Sequence, residues 1–171
     1  AASVIHNISF DRIKLRLHGG VNSDLVGGNF DLRGLGGGMD TAIFKHDIPG
    51  IYAQYVDGLK IKDCSLSWAD NLPDYFSDGI QCKHFDDLTI DGFKGRQAQK
   101  SGSNSAIALQ HGRQVSIRNC EAAPGTGTFL SLEDVLGQRL FVNNDLANAR
   151  QPTRPVKTDF KVSSGNIMIE K

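Results

Sequence analysis

A strand-length motif returns along the chain. Ile51-x-Ala53 is followed by Leu59-x-Ile61, Ile80-x-Cys82 by Leu88-x-Ile90, and Ile107-x-Leu109 by Val115-x-Ile117, with the two halves eight residues apart each time. Leu130-x-Leu132 with Leu140-x-Val142 carries two extra residues between its halves, and Phe160-x-Val162 with Ile167-x-Ile169 carries one fewer. From Leu59 through Leu88, Val115, Leu140 and Ile167 the periods are 29, 27, 25 and 27 residues. Self-similarity at such a period is the mark of a solenoid, in which each unit buries its apolar face only against its neighbours. With Ile8-x-Phe10 and Ile13-x-Leu15 as a further second half, six partial or complete units are expected.

Within each half, apolar and polar residues alternate, as in Leu59-Lys60-Ile61-Lys62 and Val115-Ser116-Ile117-Arg118, which is the period-two pattern of a strand with one buried face. Nineteen glycines against two methionines and one tryptophan fit many turns and short elements. The expected fold is therefore all-β, a parallel β-helix whose inward residues form columns, one of them Ile8, Leu59, Leu88, Val115, Leu140 and Ile167. Asp63, Gly92, Asn119 and Asn144 then share a turn slot suited to left-handed backbone. Cys64 and Cys120 fall in one inward column with Phe93 between them, roughly 9–10 Å apart at the sheet spacing, too far for a disulfide. Buried free thiols are expected there, and Cys64, Cys82 and Cys120 lie too far apart in sequence for a zinc motif.

The 171 residues are enough for one domain with its own core, taken here as 1–171. Nineteen basic and nineteen acidic residues cancel, so neither nucleic acid nor an anionic membrane is expected as a partner held by bulk charge. No apolar run reaches the roughly 18–20 residues needed to cross a bilayer as a helix.

Residues 16–50 break the register and hold a glycine-rich run, so a long excursion from the coil is expected there. Two shorter excursions, 69–77 and 96–104, leave just before the strands that begin at Ile80 and Ile107. Loops paired over one sheet frame a groove, and a groove on a stacked sheet suits an extended polymer such as a polysaccharide or oligosaccharide. Glycoside hydrolysis needs two carboxyl groups a few ångström apart, and the stretch holding Asp70, Asp74 and Asp78 is the densest source of them, with Asp78 the leading candidate. Tyr52 and Tyr75, together with Tyr55 and Trp68, offer faces for sugar stacking, and Lys83, Asn104 and Arg113 offer polar contacts. His84 and His111 stand near equivalent turn positions and are expected to meet as a surface pair, with no third metal ligand beside them.

The rung Val4-Ile5-His6-Asn7-Ile8-Ser9-Phe10-Asp11-Arg12-Ile13 resembles the V-x-N-I-x-F-x-x-I rung of family 28 glycoside hydrolases, the polygalacturonase and rhamnogalacturonan hydrolase group. Ile48 to Leu59, Ile90-Asp91-Gly92-Phe93-Lys94-Gly95 and Pro124-Gly125-Thr126-Gly127-Thr128-Phe129-Leu130 are similar to rungs of that family as well. The resemblance implies a right-handed coil, a secreted or periplasmic protein, an acidic plant polysaccharide as ligand and no cofactor. It covers rung patterns rather than the catalytic signature. Ser77-Asp78-Gly79-Ile80 echoes the family's T-D-G-I, but Asn104-Ser105 stands where two aspartates are needed, and no G-H-G occurs. By resemblance, then, these are C-terminal rungs that extend the groove and cap the coil, with inverting carboxylates upstream. The exposed first rung would then meet missing N-terminal rungs or a second molecule. A non-catalytic carbohydrate-binding or scaffold module is the alternative, and a polysaccharide lyase on the same fold, with Lys83, Arg96 or Arg113 as its base, is a third.

Overall fold

The structure, a computed structural model, describes residues 3–19, 48–72, 75–98 and 104–156, apart from the side chains of 155 and 156. These residues form strands β1 (Ile5–His6), β2 (Ser9–Asp11), β3 (Lys14–Leu17), β4 (Ile51–Lys62), β5 (Ser65–Trp68), β6 (Ile80–Asp91), β7 (Lys94–Gly95), β8 (Ser105–Arg118), β9 (Glu121–Ala122), β10 (Thr126–Val142) and β11 (Ala149–Val156), with no helix among them. All strand pairs are parallel. One sheet runs β1, β4, β6, β8, β10, β11, with β2 also against β4, and a second runs β3, β5, β7, β9. The chain thus coils as a β-solenoid of about four turns. The unit at 160–169, and most of the glycine-rich stretch 16–50, lie outside the described residues.

The stacking follows the expected repeat through three rungs. Ile51, Ile80 and Ile107 align, as do Ala53, Cys82 and Leu109, and Leu59, Leu88 and Val115. Ile80, Cys82, Ile107 and Leu109 are 0 % exposed, so alternation places each of these columns on the inside of the coil. The long strands are bent by residues in left-handed backbone that recur from rung to rung. Tyr55, His84, His111 and Asp134 (φ 50° to 55°) make one such corner, and Asn7, Asp87 and Gln114 with Gly58 and Gly137 make the next. Between the two corners Phe85 fills the interior, and a Cβ on the aligned Gly112 would come within 2.2 Å of its ring. Glycine at 112 is therefore demanded by the ring next to it.

The fourth rung departs from the expected register. Leu136 pairs with Arg113 but Arg139 pairs with Val115, so the loop at Gly137-Gln138 holds one extra residue, not two. Phe141 consequently aligns with Ile117 and is 1 % exposed, whereas Leu140 pairs with Ser116 and is half-buried. The same one-residue shift puts Asn143 (φ 55°) in the turn slot with Asp63, Gly92 and Asn119, and moves Asn144 inward. A phenylalanine is a better core residue than the alternating Leu140 and Val142, and burying it sets the register.

In the second sheet the inward column is Ile13, Cys64, Phe93, Cys120 and Asn144, placed by the pairing of Ser65 with Lys14 and Lys94, of Lys94 with Glu121, and by the bridge from Glu121 to Asp145. Cys64 and Cys120 are buried and free, as expected from their shared column, and so is Cys82. Cys64 and Cys120 each send Sγ–H to the carbonyl two residues back, at 3.2 and 3.1 Å. Burial pushes the Cys82 and Cys120 thiols up to about 12. Because the thiolate is the nucleophile, the folded protein is expected to resist a thiol-reactive dye at pH 8 and to react at all three cysteines once unfolded. Rapid labelling of the native chain would contradict this burial.

Candidate functional site: the outward face of the first sheet

Between the inward columns of the first sheet, alternation turns two further columns outward. Tyr52, Gln81, Ala108, Ser131 and Arg154 form one, and Gln54, Lys83, Gln110 and Glu133 form the other. Strand spacing sets a step of roughly 4.8 Å between rungs. The first column is small in the middle, at Ala108 and Ser131, and larger at its ends, at Tyr52 and Arg154. The second offers amide, ammonium and carboxylate groups in turn. Tyr52 donates its hydroxyl to Gln54 Oε1 at 3.0 Å, and Gln110 donates Nε2–H to Glu133 Oε2 at 2.7 Å. Burial, with Tyr55 and Cys82 nearby, raises the Tyr52 phenol above its ordinary range, so it acts as a neutral hydrogen-bonding group.

Of the residues expected to contact a ligand, Tyr52 and Lys83 fall on neighbouring strands of this face, both half-buried. Asn104 is half-buried, one residue before β8. Arg113 is exposed but pairs with Asp86 and Leu136, beyond the left-handed corner at His111. Tyr75 lies inside, 4 % exposed with its ring 4.8 Å from Phe76, and Trp68 is 7 % exposed with Nε1–H donated to the Arg96 carbonyl at 2.8 Å. Both belong to the buried core. Tyr55, at the corner, remains exposed.

The aspartates do not share one environment. Asp78 is buried, its Oδ1 accepting the Ser105 N–H at 2.6 Å and its Oδ2 accepting from Gln81 Nε2 at 3.4 Å. It ties the start of β8 to the approach to β6, the role of a short acidic side chain that meets an otherwise unpaired backbone donor. Asp70 is exposed and acts on Arg96, whose guanidinium burial draws down while Asp70 opposes that shift. Asp74 lies outside the described residues.

The corner next to this face holds a ladder that the repeat alone only half disclosed. Tyr55 stacks on His84 (centroids 4.9 Å, planes 8° apart), and His84 stacks on His111 (5.2 Å, 18°). The pair expected from sequence is therefore present, but it continues. Asp134 occupies the same corner one rung further, with Oδ2 3.4 Å from His111 Nδ1. His111, Glu133 and Asp134 bring one imidazole nitrogen and two carboxylate oxygens within 4.8 Å of one another. The signal for Asp134 was in the repeat: it stands two residues past Leu132, as His111 does past Leu109, His84 past Cys82 and Tyr55 past Ala53.

A cleft of about 180 Å³ opens elsewhere, at the bulge of the fourth rung, lined by Asp87, Gln114, Ser116, Gln138 and Leu140 among others. It falls below the roughly 300–1,000 Å³ of ordinary small-ligand pockets. Set against family models, curated proteins and solved structures, the chain matches none.

Proposed function

We propose that these rungs bind an extended acidic polysaccharide along the coil axis, as a groove-extending and capping stretch of a secreted, right-handed, pectin-directed β-helix in which cutting is done on other rungs. The six units expected from the sequence, including 160–169, belong to the same reading. One observation carries it: two adjacent outward columns present Tyr52, Gln81 and Lys83 at one end and Gln110 and Arg154 further along, spaced by the rung step. A polymer laid across the strands meets a new polar group at each rung, and its carboxylates find Lys83 and Arg154. The engagement of Asp78 with Ser105 and Gln81 favours holding a glycan over cleaving it.

The test is calorimetric titration of the full chain with oligogalacturonate and with a neutral oligosaccharide of equal length. Binding of the acidic chain alone is expected. Lys83→Ala should weaken it by about tenfold, the size of one charge-assisted hydrogen bond, and Tyr52→Ala by about fivefold through lost ring contact. Affinity that is undetectable, or that neither variant changes, would refute the reading. New reducing ends abolished by Asp78→Asn would place hydrolysis in this chain, and unsaturated products would place a lyase there.

A further inference from the structure

We propose that His111, Glu133 and Asp134 form a binding site for a divalent transition ion of the zinc class, at the corner where the first sheet's outward face ends. The donor set is the first ground. One imidazole nitrogen with two carboxylate oxygens suits a borderline ion such as Zn²⁺, whereas Ca²⁺ gathers six to eight oxygens.

Separation is the second ground. Two ligands bonded at about 2.0–2.1 Å to a tetrahedral ion stand about 3.3 Å apart. His111 Nδ1 and Asp134 Oδ2 are 3.4 Å apart, longer than the roughly 2.7–2.9 Å of a charge-assisted hydrogen bond and close to the separation of two ligands on one ion, while the three donors as a set lie within 4.8 Å, so a bound ion would draw them closer. The exposed pair His6 and Asp57 closes to 3.1 Å and makes a hydrogen bond, so a histidine and an aspartate on neighbouring rungs are free to come nearer.

How the donors converge follows from the fold. Successive residues of a flat strand point to opposite faces. Glu133 faces outward, and Asp134 would turn inward were its backbone extended. Its left-handed φ of 50° swings its side chain to the side of Glu133, and the same conformation at His111 (53°) brings the imidazole up from the rung before. Two neighbours already hold these ligands in orientation. Gln110 donates to one oxygen of Glu133, and the ring of His84 lies against His111. Among the described residues, Asp134 forms its ion pair with His111, and Glu133 is held by the Gln110 amide.

The experiment is titration of the chelator-treated full chain with ZnCl₂, followed by calorimetry and by the histidine ring signals in NMR. One ion per chain is expected, with the His111 ring signals moving and those of His6 unmoved. Glu133→Gln, which keeps the bond from Gln110, and His111→Asn, which tolerates left-handed backbone, should each weaken zinc by about tenfold or more. Circular dichroism checks that both variants fold, and the wild-type NMR readout stands if either does not. The proposal fails if no saturable uptake occurs by about 1 mM zinc, if both folded variants bind as the wild type does, if zinc shifts His6 in place of His111, or if calcium displaces it.

Discussion

Phe93→Ala is expected to remove about 3–5 kcal/mol of stability, the range for emptying a fully buried aromatic site. Phe93 is 1 % exposed and is the one ring in the inward column Ile13, Cys64, Phe93, Cys120 and Asn144 of the second sheet. The strands of the second sheet, each entered just after a residue of that column, are short: β3 and β5 have four residues each, β7 and β9 two. Backbone pairing therefore contributes little on this side of the coil, and the stacked side chains hold the rungs in line. The ring also fills the space beside Gly95, where a Cβ would meet Phe93 Cζ at 2.5 Å, and glycine has no side chain to move into the vacancy. In a solenoid each rung is held only by its neighbours, and a void at a middle rung uncouples those on both sides. Urea denaturation followed by circular dichroism measures the loss. A change below about 1 kcal/mol would mean that the column is not closely packed.

Asn144→Leu is expected to cost about 2–4 kcal/mol although it replaces a polar residue by an apolar one of similar size in the interior. Asn144 is 0 % exposed. Its Oδ1 accepts the Cys120 N–H at 2.9 Å, and its Nδ2 donates to the Ile117 carbonyl at 3.3 Å. Leucine would leave two buried main-chain groups of the preceding rung without these partners, and such groups are costly to strand. Asn143→Gly is the companion experiment. Asn143 is exposed and holds φ of 55°, which glycine adopts freely, so a change within about 0.5 kcal/mol is expected. The pair of variants also tests the register. Were Asn144 the turn residue, as the two-residue insertion read from the repeat implies, the two effects would be exchanged.

The face proposed to bind glycan and the proposed ion site adjoin but rest on different atoms. Lys83 and Tyr52 carry the first, and His111 with Asp134 the second, while Glu133 borders both through Gln110. A Lys83 variant is therefore expected to leave zinc uptake unchanged, which separates failure of one reading from failure of the other.

The sequence by itself determined the rungs. Each half-unit repeats an apolar residue at every second position, and only stacking in parallel buries all of these at once, so Ile80 with Ile107 and Leu88 with Val115 were legible from spacing alone. The buried free cysteines followed from the same columns. Tertiary structure decided where the period fails and where side chains turn. At Gly137-Gln138, counting residues gives two registers of nearly equal pattern, and the gain from burying Phe141 in place of Leu140 chooses between them. That choice moves Asn144 from a turn into the core. At the corner of Tyr55, His84, His111 and Asp134, period-two reasoning assigns alternate faces to adjacent residues. Left-handed backbone breaks that rule, so the meeting of Glu133 with Asp134 and His111 becomes visible only when φ is known. Asp78 shows the same division. Its carboxyl chemistry was legible from the chain, but its use as the acceptor for Ser105 depends on how one rung is laid upon the next, which is a property of the coil and not of any local stretch.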